Sequence, residues 1–195
     1  MSAPAKTSEA GIIASARRLL EDRGLEAVTM HAVAREVGVQ PPSLYKRYDS
    51  RAGLLRALLT ASLEEMRARL EQARAGGKPN SRLKRMAWAY REFAYTYPNT
   101  YGLIYSRALP PGAGPGDAAR HALTGELIAI LREHLSPGRV LPTARLLAAF
   151  LHGFVSLELA GAFRPGGSIG DSFDSGLRLL LAAVLPAVDM RVPPR

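Results

Sequence analysis

Apolar side chains recur along this chain at helical spacing, and alternating β-branched runs are missing. That spacing predicts helices throughout and no sheet. Ile12, Ile13, Ala16, Leu19 and Leu20 form a first stripe, ended by Arg23 and Gly24. A second begins after Thr29, a residue suited to cap a helix start, carries Met30, Val33, Ala34 and Val37, and ends at Gly38. A third helix is expected from Pro41 to about Tyr48. A fourth is capped by Asp49 or Ser50, carries Leu54, Leu55, Leu58, Leu63, Met66 and Leu70, and is broken by "ARAGGKPNS" (Ala73–Ser81). Further helices are expected at Arg82–Tyr97, stopped by Pro98, and from there to about Arg107. After the loop "LPPGAGPGD" (Leu109–Asp117) come Asp117–Leu135, Pro142–Phe163 and Asp171–Val188. The fold expected is all-α with about nine helices. There is no internal repeat.

Two of these helices stand out. The second and third are joined by about three residues beginning with Gly38, which is helix-turn-helix spacing. Gly38 suits the left-handed backbone that ends a helix, and Val39 can pack the turn. The paired prolines force a fresh helix start, whose free N–H groups suit phosphates or base edges. Leu44 and Tyr48, four apart, can face the core, which leaves Ser43, Lys46 and Arg47 outside. The second helix of such a motif enters the major groove of DNA. A structural hairpin with a solvated basic face has the same periodicity. The expected division is a DNA-binding domain at 1–54 and a second domain at 55–195.

Composition adds limits. The 195 residues are enough for a buried core, and the absence of cysteine excludes disulfide and thiolate chemistry. The N-terminal residues Met1–Glu9 are polar and do not read as a secretory signal. The longest apolar run, Leu146–Phe163, is broken by His152 and Glu158, so no membrane span is expected and the cytoplasm is the expected location. Net charge is +9, which favours phosphate-bearing partners. The charge is spread out, however: residues 1–60 hold 9 basic against 6 acidic side chains, and the remainder 17 against 11. The local arrangement carries more weight than the total.

That arrangement is recognisable. "AVTMHAVAREVGVQPPSLYKRYDSRAGLLRAL" (Ala27–Leu58) resembles the DNA-binding segment of TetR-family transcriptional regulators. Thr29, Val33 and Ala34, Gly38 and Val39, Ser43, Leu44 and Tyr45, and the aromatic Tyr48 carry the resemblance, with the basic residue opening helix four and the leucine pair after it. The chain departs from the family pattern at Tyr48, where Phe is usual, at Arg51, where Lys is usual, and at Gln40, where Ser is common. The resemblance implies phosphate contacts from Thr29, Tyr45 and Arg51, whose hydroxyls and guanidinium suit backbone oxygens. Gln40, Pro41, Pro42, Ser43 and Lys46 are the candidates for reading bases: Gln can pair with adenine, Lys with guanine, and a proline ring can press on a thymine methyl. Arg47 fits either class.

Composition shifts after Gly77. Of 13 aromatic residues, seven lie between Trp88 and Tyr105. Tyr90, Phe93 and Tyr97 fall on one helical face, and Tyr101 and Tyr105 on another. An aromatic stripe of this kind makes either core or a small-molecule cavity. Within "FLHGFVSLELAG" (Phe150–Gly161), His152, Ser156 and Glu158 are polar residues in an apolar helix, and His152 and Ser156 can face one space. The candidate effector residues are Trp88, Tyr90, Phe93, Tyr97, Tyr101, Tyr105, His152 and Ser156. This half is similar to the WHG C-terminal domain of one TetR subgroup in His152-Gly153, "SLE" and "REFAYTYPNTYGLIY" (Arg91–Tyr105), with Leu151 at the usual Trp. The last two long helices are too apolar for a monomer's surface. In the family such a pair forms a four-helix dimer interface.

Enzyme chemistry finds little support. His31, His121, His134 and His152 show no metal-ligand spacing, and neither HExxH nor a nucleophile elbow occurs. "GAGPG" has prolines and no strand before it, unlike a phosphate loop. No cofactor is expected. The reading is a ligand-responsive, dimeric repressor that binds a palindromic operator and is released by a small apolar or aromatic effector. The alternatives are a helical module using its basic face for protein contacts, or a metal-free enzyme.

Overall fold

A computed structural model describes residues 8–106, 115–164 and 166–185, with the side chains of 115–122 excepted. Among them are nine α-helices, one short 3₁₀ turn and no strand. The chain forms two compact units, Met1–Arg69 with Glu92–Leu123, and Leu70–Arg91 with Thr124–Arg195.

In the first unit, α1 (Glu9–Arg23) starts where the Ser8 hydroxyl accepts the Gly11 N–H at 3.1 Å. It buries Ile12, Ile13, Ala16, Leu19 and Leu20, as its spacing predicts. The 3₁₀ turn Leu25–Ala27 leads to α2 (Met30–Val37), where Thr29 Oγ1 accepts the Ala32 N–H at 3.1 Å. Gly38 ends α2 at φ 77° and ψ 32°. Its N–H reaches the Arg35 carbonyl, and that of Val39 reaches Ala34. This paired closure requires the left-handed backbone that only glycine adopts freely. α3 (Pro41–Tyr45) is shorter than expected. After Tyr45 the chain tightens, with Arg47 and Tyr48 both donating to the Leu44 carbonyl, and the Ser50 hydroxyl then caps α4 (Arg51–Ala73) through the Gly53 N–H.

Prolines place most of the remaining starts. α5 (Pro79–Thr96), α6 (Pro98–Tyr105), α7 (Pro115–Arg132) and α8 (Pro137–Leu159) each open on one. The missing N–H has no helical partner in a first turn. Pro98 therefore both stops α5 and opens α6. The eighth helix begins at Pro137 and keeps Pro142 inside it, where the sequence pattern had set its start. α9 (Ile169–Val184) is capped by the Ser168 hydroxyl on the Asp171 N–H. The expected end of this helix at Val188 and most of the expected loop Leu109–Asp117 lie outside the described residues.

The second unit packs around rings. Phe150 of α8 stacks on Phe173 of α9 at 5.9 Å, and Phe154 of α8 and Trp88 of α5 meet Phe173 edge-on at 5.2 and 5.3 Å. At Gly176 a β-carbon would stand 3.1 Å from the Phe150 ring, so the two helices approach closely there. α8 is long and apolar enough to cross a bilayer by length and composition, with a mean hydropathy of 1.5. It nevertheless buries Glu158 in an ion pair with Arg91, and its Val140, Thr143, Ala144, Leu147 and Val155 pack inward.

Candidate nucleic-acid interface and effector region

The Gly38 closure fixes where α3 starts, and α3 hangs on one buried side chain. Leu44 is 1% exposed, and Tyr48 below it is buried too. Opposite them Pro42, Ser43, Tyr45, Lys46 and Arg47 are exposed, with Gln40 beside them and Pro41 half-buried. The side chains of Gln40, Ser43, Tyr45, Lys46 and Arg47 have no hydrogen bond or ion pair among the described residues. Hydroxyl, phenol, amide, ammonium and guanidinium thus stand in one exposed row, each with its hydrogen-bonding capacity unused.

Two of the residues expected at phosphates have structural partners. The Thr29 hydroxyl accepts from Ala32, which leaves its own O–H free to donate. Arg51 donates from Nε to the Val28 carbonyl at 2.7 Å and from one Nη to the Leu25 carbonyl at 2.6 Å. A looser ion pair with Glu26 spans 3.8 Å. The head of α4 is thereby tied to the segment that presents Thr29. The Tyr48 hydroxyl is buried without a partner, and burial, then Glu9, push the phenol up.

α1 is anchored by polar contacts as well. Arg17 pairs with Glu65 and Ser62 of α4 and lies 4.8 Å over the Tyr97 ring. One turn on, the Glu21 carboxylate accepts the N–H groups of Asn99 and Thr100 at 3.0 and 2.8 Å, capping α6. These partners are not legible from helical spacing, because they lie 45 to 79 residues from the α1 side chains they hold.

Six of the eight effector candidates belong to two aromatic groups, one in each unit. In the first unit Phe93 meets Tyr97 at 5.4 Å, Tyr101 meets Tyr105 at 5.1 Å, and Arg69 lies over both Phe93 and Tyr97. Phe93 and Tyr101 are buried, while Tyr105 is exposed. In the second unit Trp88 is half-buried and Tyr90 buried. The Trp88 indole donates to Asp174 at 3.3 Å, and Arg91 lies 5.1 Å over its ring. Arg91 also grips Glu158 with two nitrogens, at 2.9 and 2.5 Å. Lys84 foremost, and the indole after it, hold the Asp174 carboxyl below its ordinary value.

His152 and Ser156 do share one space, with Nδ1 and Oγ 3.4 Å apart. Both are half-buried, on the flank of α8 away from Leu147, Val155 and Glu158. Burial pushes the His152 imidazole down. On the same outward side Leu141, Leu146 and Leu157 are about half exposed, at 51%, 49% and 50%, and Leu179 of α9 is 74% exposed. A groove of about 930 Å³ lies between α1 and α4 and is lined by none of the effector candidates.

Comparison with known proteins agrees with this geometry. Residues 12–58 match the family described as bacterial regulatory proteins, tetR family, and residues 83–180 match the tetracyclin repressor-like C-terminal domain. An uncharacterized HTH-type transcriptional regulator of Mycobacterium tuberculosis is 31% identical over 159 residues, covering 81% of this chain and 73% of that protein. The tetracycline repressor protein class A from transposon 1721 of Escherichia coli is 26% identical over 182 residues, 93% of this chain and 81% of the repressor. A solved structure of a Rhodococcus sp. RHA1 protein of unknown function superimposes with a TM-score of 0.79 at 26% identity, covering 89% of this chain and 93% of that one. The chain belongs to the TetR family and is a helix-turn-helix transcriptional regulator.

Proposed function

We propose that the protein is a dimeric, effector-responsive repressor that binds a palindromic operator in the cytoplasm and has no catalytic turnover. The observation that carries this reading is the exposed, unpartnered row at α3. Tyr45, Thr29 and the free nitrogen of Arg51 take phosphates. Lys46, Ser43, Gln40 and the rings of Pro41 and Pro42 face bases, and Arg47 serves either role. The outward leucines of α8 and α9 supply the dimer face, and a twofold axis there sets two recognition helices about one helical turn of DNA apart. The named tetracycline repressor among the relatives supports repression. The WHG-like assignment of the C-terminal half rests on His152-Gly153 and "SLE".

The test is a gel-shift titration on a duplex selected by the protein from a random pool. Tyr45→Phe should weaken binding to every sequence alike. Lys46→Ala should cost about 1–3 kcal/mol and relax preference at one position. Unchanged affinity in both variants removes α3 from the interface.

The effector reading centres on Trp88 and Tyr90, with the tyrosines of α5 and α6 and the pair His152–Ser156 as further candidates. Many rings and few charges suit an apolar or aromatic molecule with one or two polar atoms. Trp88 is the sole tryptophan. A compound that lowers operator affinity should change its emission over the same concentration range, because one linkage governs both. An inducer that leaves Trp88 emission unchanged places the site elsewhere.

A further inference from the structure

The groove between α1 and α4 lies within the first unit, and neither the exposed row at α3 nor the effector candidates line it. Its floor is made of short side chains, Ala10 and Ala14 from α1 and Ala57, Thr60 and Ala61 from α4. At one end Arg17 and Glu65 answer each other across it. Two further charges that α4 contributes to its lining are unanswered. Arg56 and Glu64 are both exposed, and neither makes a hydrogen bond or ion pair among the described residues. They stand eight residues apart on one outward stripe, about 12 Å along the helix, too far to meet each other. Thr60 is midway between them.

That arrangement is complementary to itself. A second α4 laid antiparallel, with a twofold axis through Thr60, sets Arg56 of each copy against Glu64 of the other. A parallel α4 in the same register would set like charges together. The short side chains around the axis let the two helices approach to about 8 Å, the close end of ordinary helix packing. Each α4 then lies in the valley between α1 and α4 of the other copy. Nucleic acid suits this groove badly, because the free carboxylates of Glu9 and Glu64 outnumber the one free guanidinium of Arg56.

We propose that this groove is an interface for a second copy of the chain, an α4–α4 contact held by two Arg56–Glu64 pairs, through which neighbouring dimers associate. It is separate from the α8–α9 face assigned to the dimer itself. Exposed ion pairs are weak, so the two together change association by about 2- to 30-fold. That matters little for dilute protein free in solution. It matters for two dimers on adjoining operators, which meet at an effective concentration in the millimolar range. Cooperative filling of adjoining sites rests on the regulator reading, whereas the contact itself does not.

The chain has no cysteine, so Thr60→Cys supplies a sole thiol. At the twofold axis two such thiols come within disulfide reach. Those of Ala68→Cys, exposed on α4 eight residues on, stay about 24 Å apart. Both full-length variants are oxidised with diamide at high protein concentration and read by non-reducing electrophoresis and sedimentation. Thr60→Cys should give covalent pairs in a species larger than wild type, and Ala68→Cys should not. Adding Arg56→Glu or Glu64→Arg to Thr60→Cys should slow coupling by about 2- to 30-fold, and adding both should restore it. These side chains are exposed and their replacements are good helix formers, so the fold is kept. Equal coupling at positions 60 and 68, covalent pairs only in a species no larger than wild type, or a double reversal as slow as the single ones overturns the proposal. Coupling as expected in a protein that binds no duplex upholds the contact and overturns the regulator reading instead.

Discussion

Leu179 on α9 offers a quantitative test of the dimer face. It keeps 74% of its surface exposed in the protomer, whereas Leu177 and Leu181 on the same helix are buried. Burying a leucine completely is worth about 1.5–3 kcal/mol. Covering the three quarters still exposed therefore contributes about 1–2 kcal/mol, and about 2–4 kcal/mol when the twofold axis repeats the contact. Losing that contact alone weakens dimerisation by about 30- to 1,000-fold. Leu179→Glu should do more, since two carboxylates would be brought out of water with no partner. Glutamate is a good helix former, so α9 itself should be unaffected. Sedimentation velocity at micromolar protein should show monomers for Leu179→Glu and dimers for wild type, with identical circular dichroism. A variant charged at Val184 gives no such information, because that side chain is buried inside the protomer and the substitution would unfold it. A Leu179→Glu protein that dimerises like wild type would refute the assignment of this face.

Two further outcomes test the second unit. Glu158→Ala leaves the Arg91 guanidinium without its carboxylate between Trp88 and Phe173, and should cost about 3–5 kcal/mol in urea unfolding; a loss under about 0.5 kcal/mol would show the pair to be idle. Burial lowers His152 from 6.5, so below that pH the unfolded chain binds more protons than the folded one and stability declines as acid is added. Thermal unfolding of His152→Gln should fall less steeply than wild type between about pH 6.5 and 5, and parallel curves would remove His152 as the cause.

Both ends of α2 could be read from the sequence because each is decided locally, whereas α3 ends three residues before the expected Tyr48. Thr29 bonds a donor three residues on, and Gly38 closes α2 on carbonyls three and five residues back. The exposure of Ser43, Lys46 and Arg47 followed from the burial of Leu44 and Tyr48, also a matter of one helical turn. Prolines were harder to read. The same residue ends one helix and opens the next at Pro98, and sits harmlessly inside α8 at Pro142. The aromatic stripe was legible only in part. Spacing on α5 and α6 says which rings share a face, but not what covers that face. The phenylalanines that pack on Trp88 and on each other come from α8 and α9. For Glu158, helical spacing announced a buried acid, but its arginine lies 67 residues away. His152 and Ser156 were correctly paired, yet the flank of α8 they occupy depends on how α8 meets its neighbours.

Arg51 shows why a departure from a family pattern can be a gain in function of the side chain. The family usually has lysine there, and the guanidinium does what an ammonium cannot. Its planar fork reaches the Val28 and Leu25 carbonyls at once, in two fixed directions. A third nitrogen remains, and a phosphate can use it without breaking either bond. A lysine has a single nitrogen on a flexible stem, so contacts to two carbonyls and a phosphate would all compete for it. With arginine, the residue that positions the Thr29 segment can also touch the DNA it presents. The same comparison does not explain Tyr48: its hydroxyl is buried without a partner, and nothing around it accounts for the exchange from phenylalanine. The first substitution adds directed hydrogen bonds and the second adds an unsatisfied one. What arginine adds at position 51 is the pair of directed bonds that tie the head of α4 to the segment before Thr29.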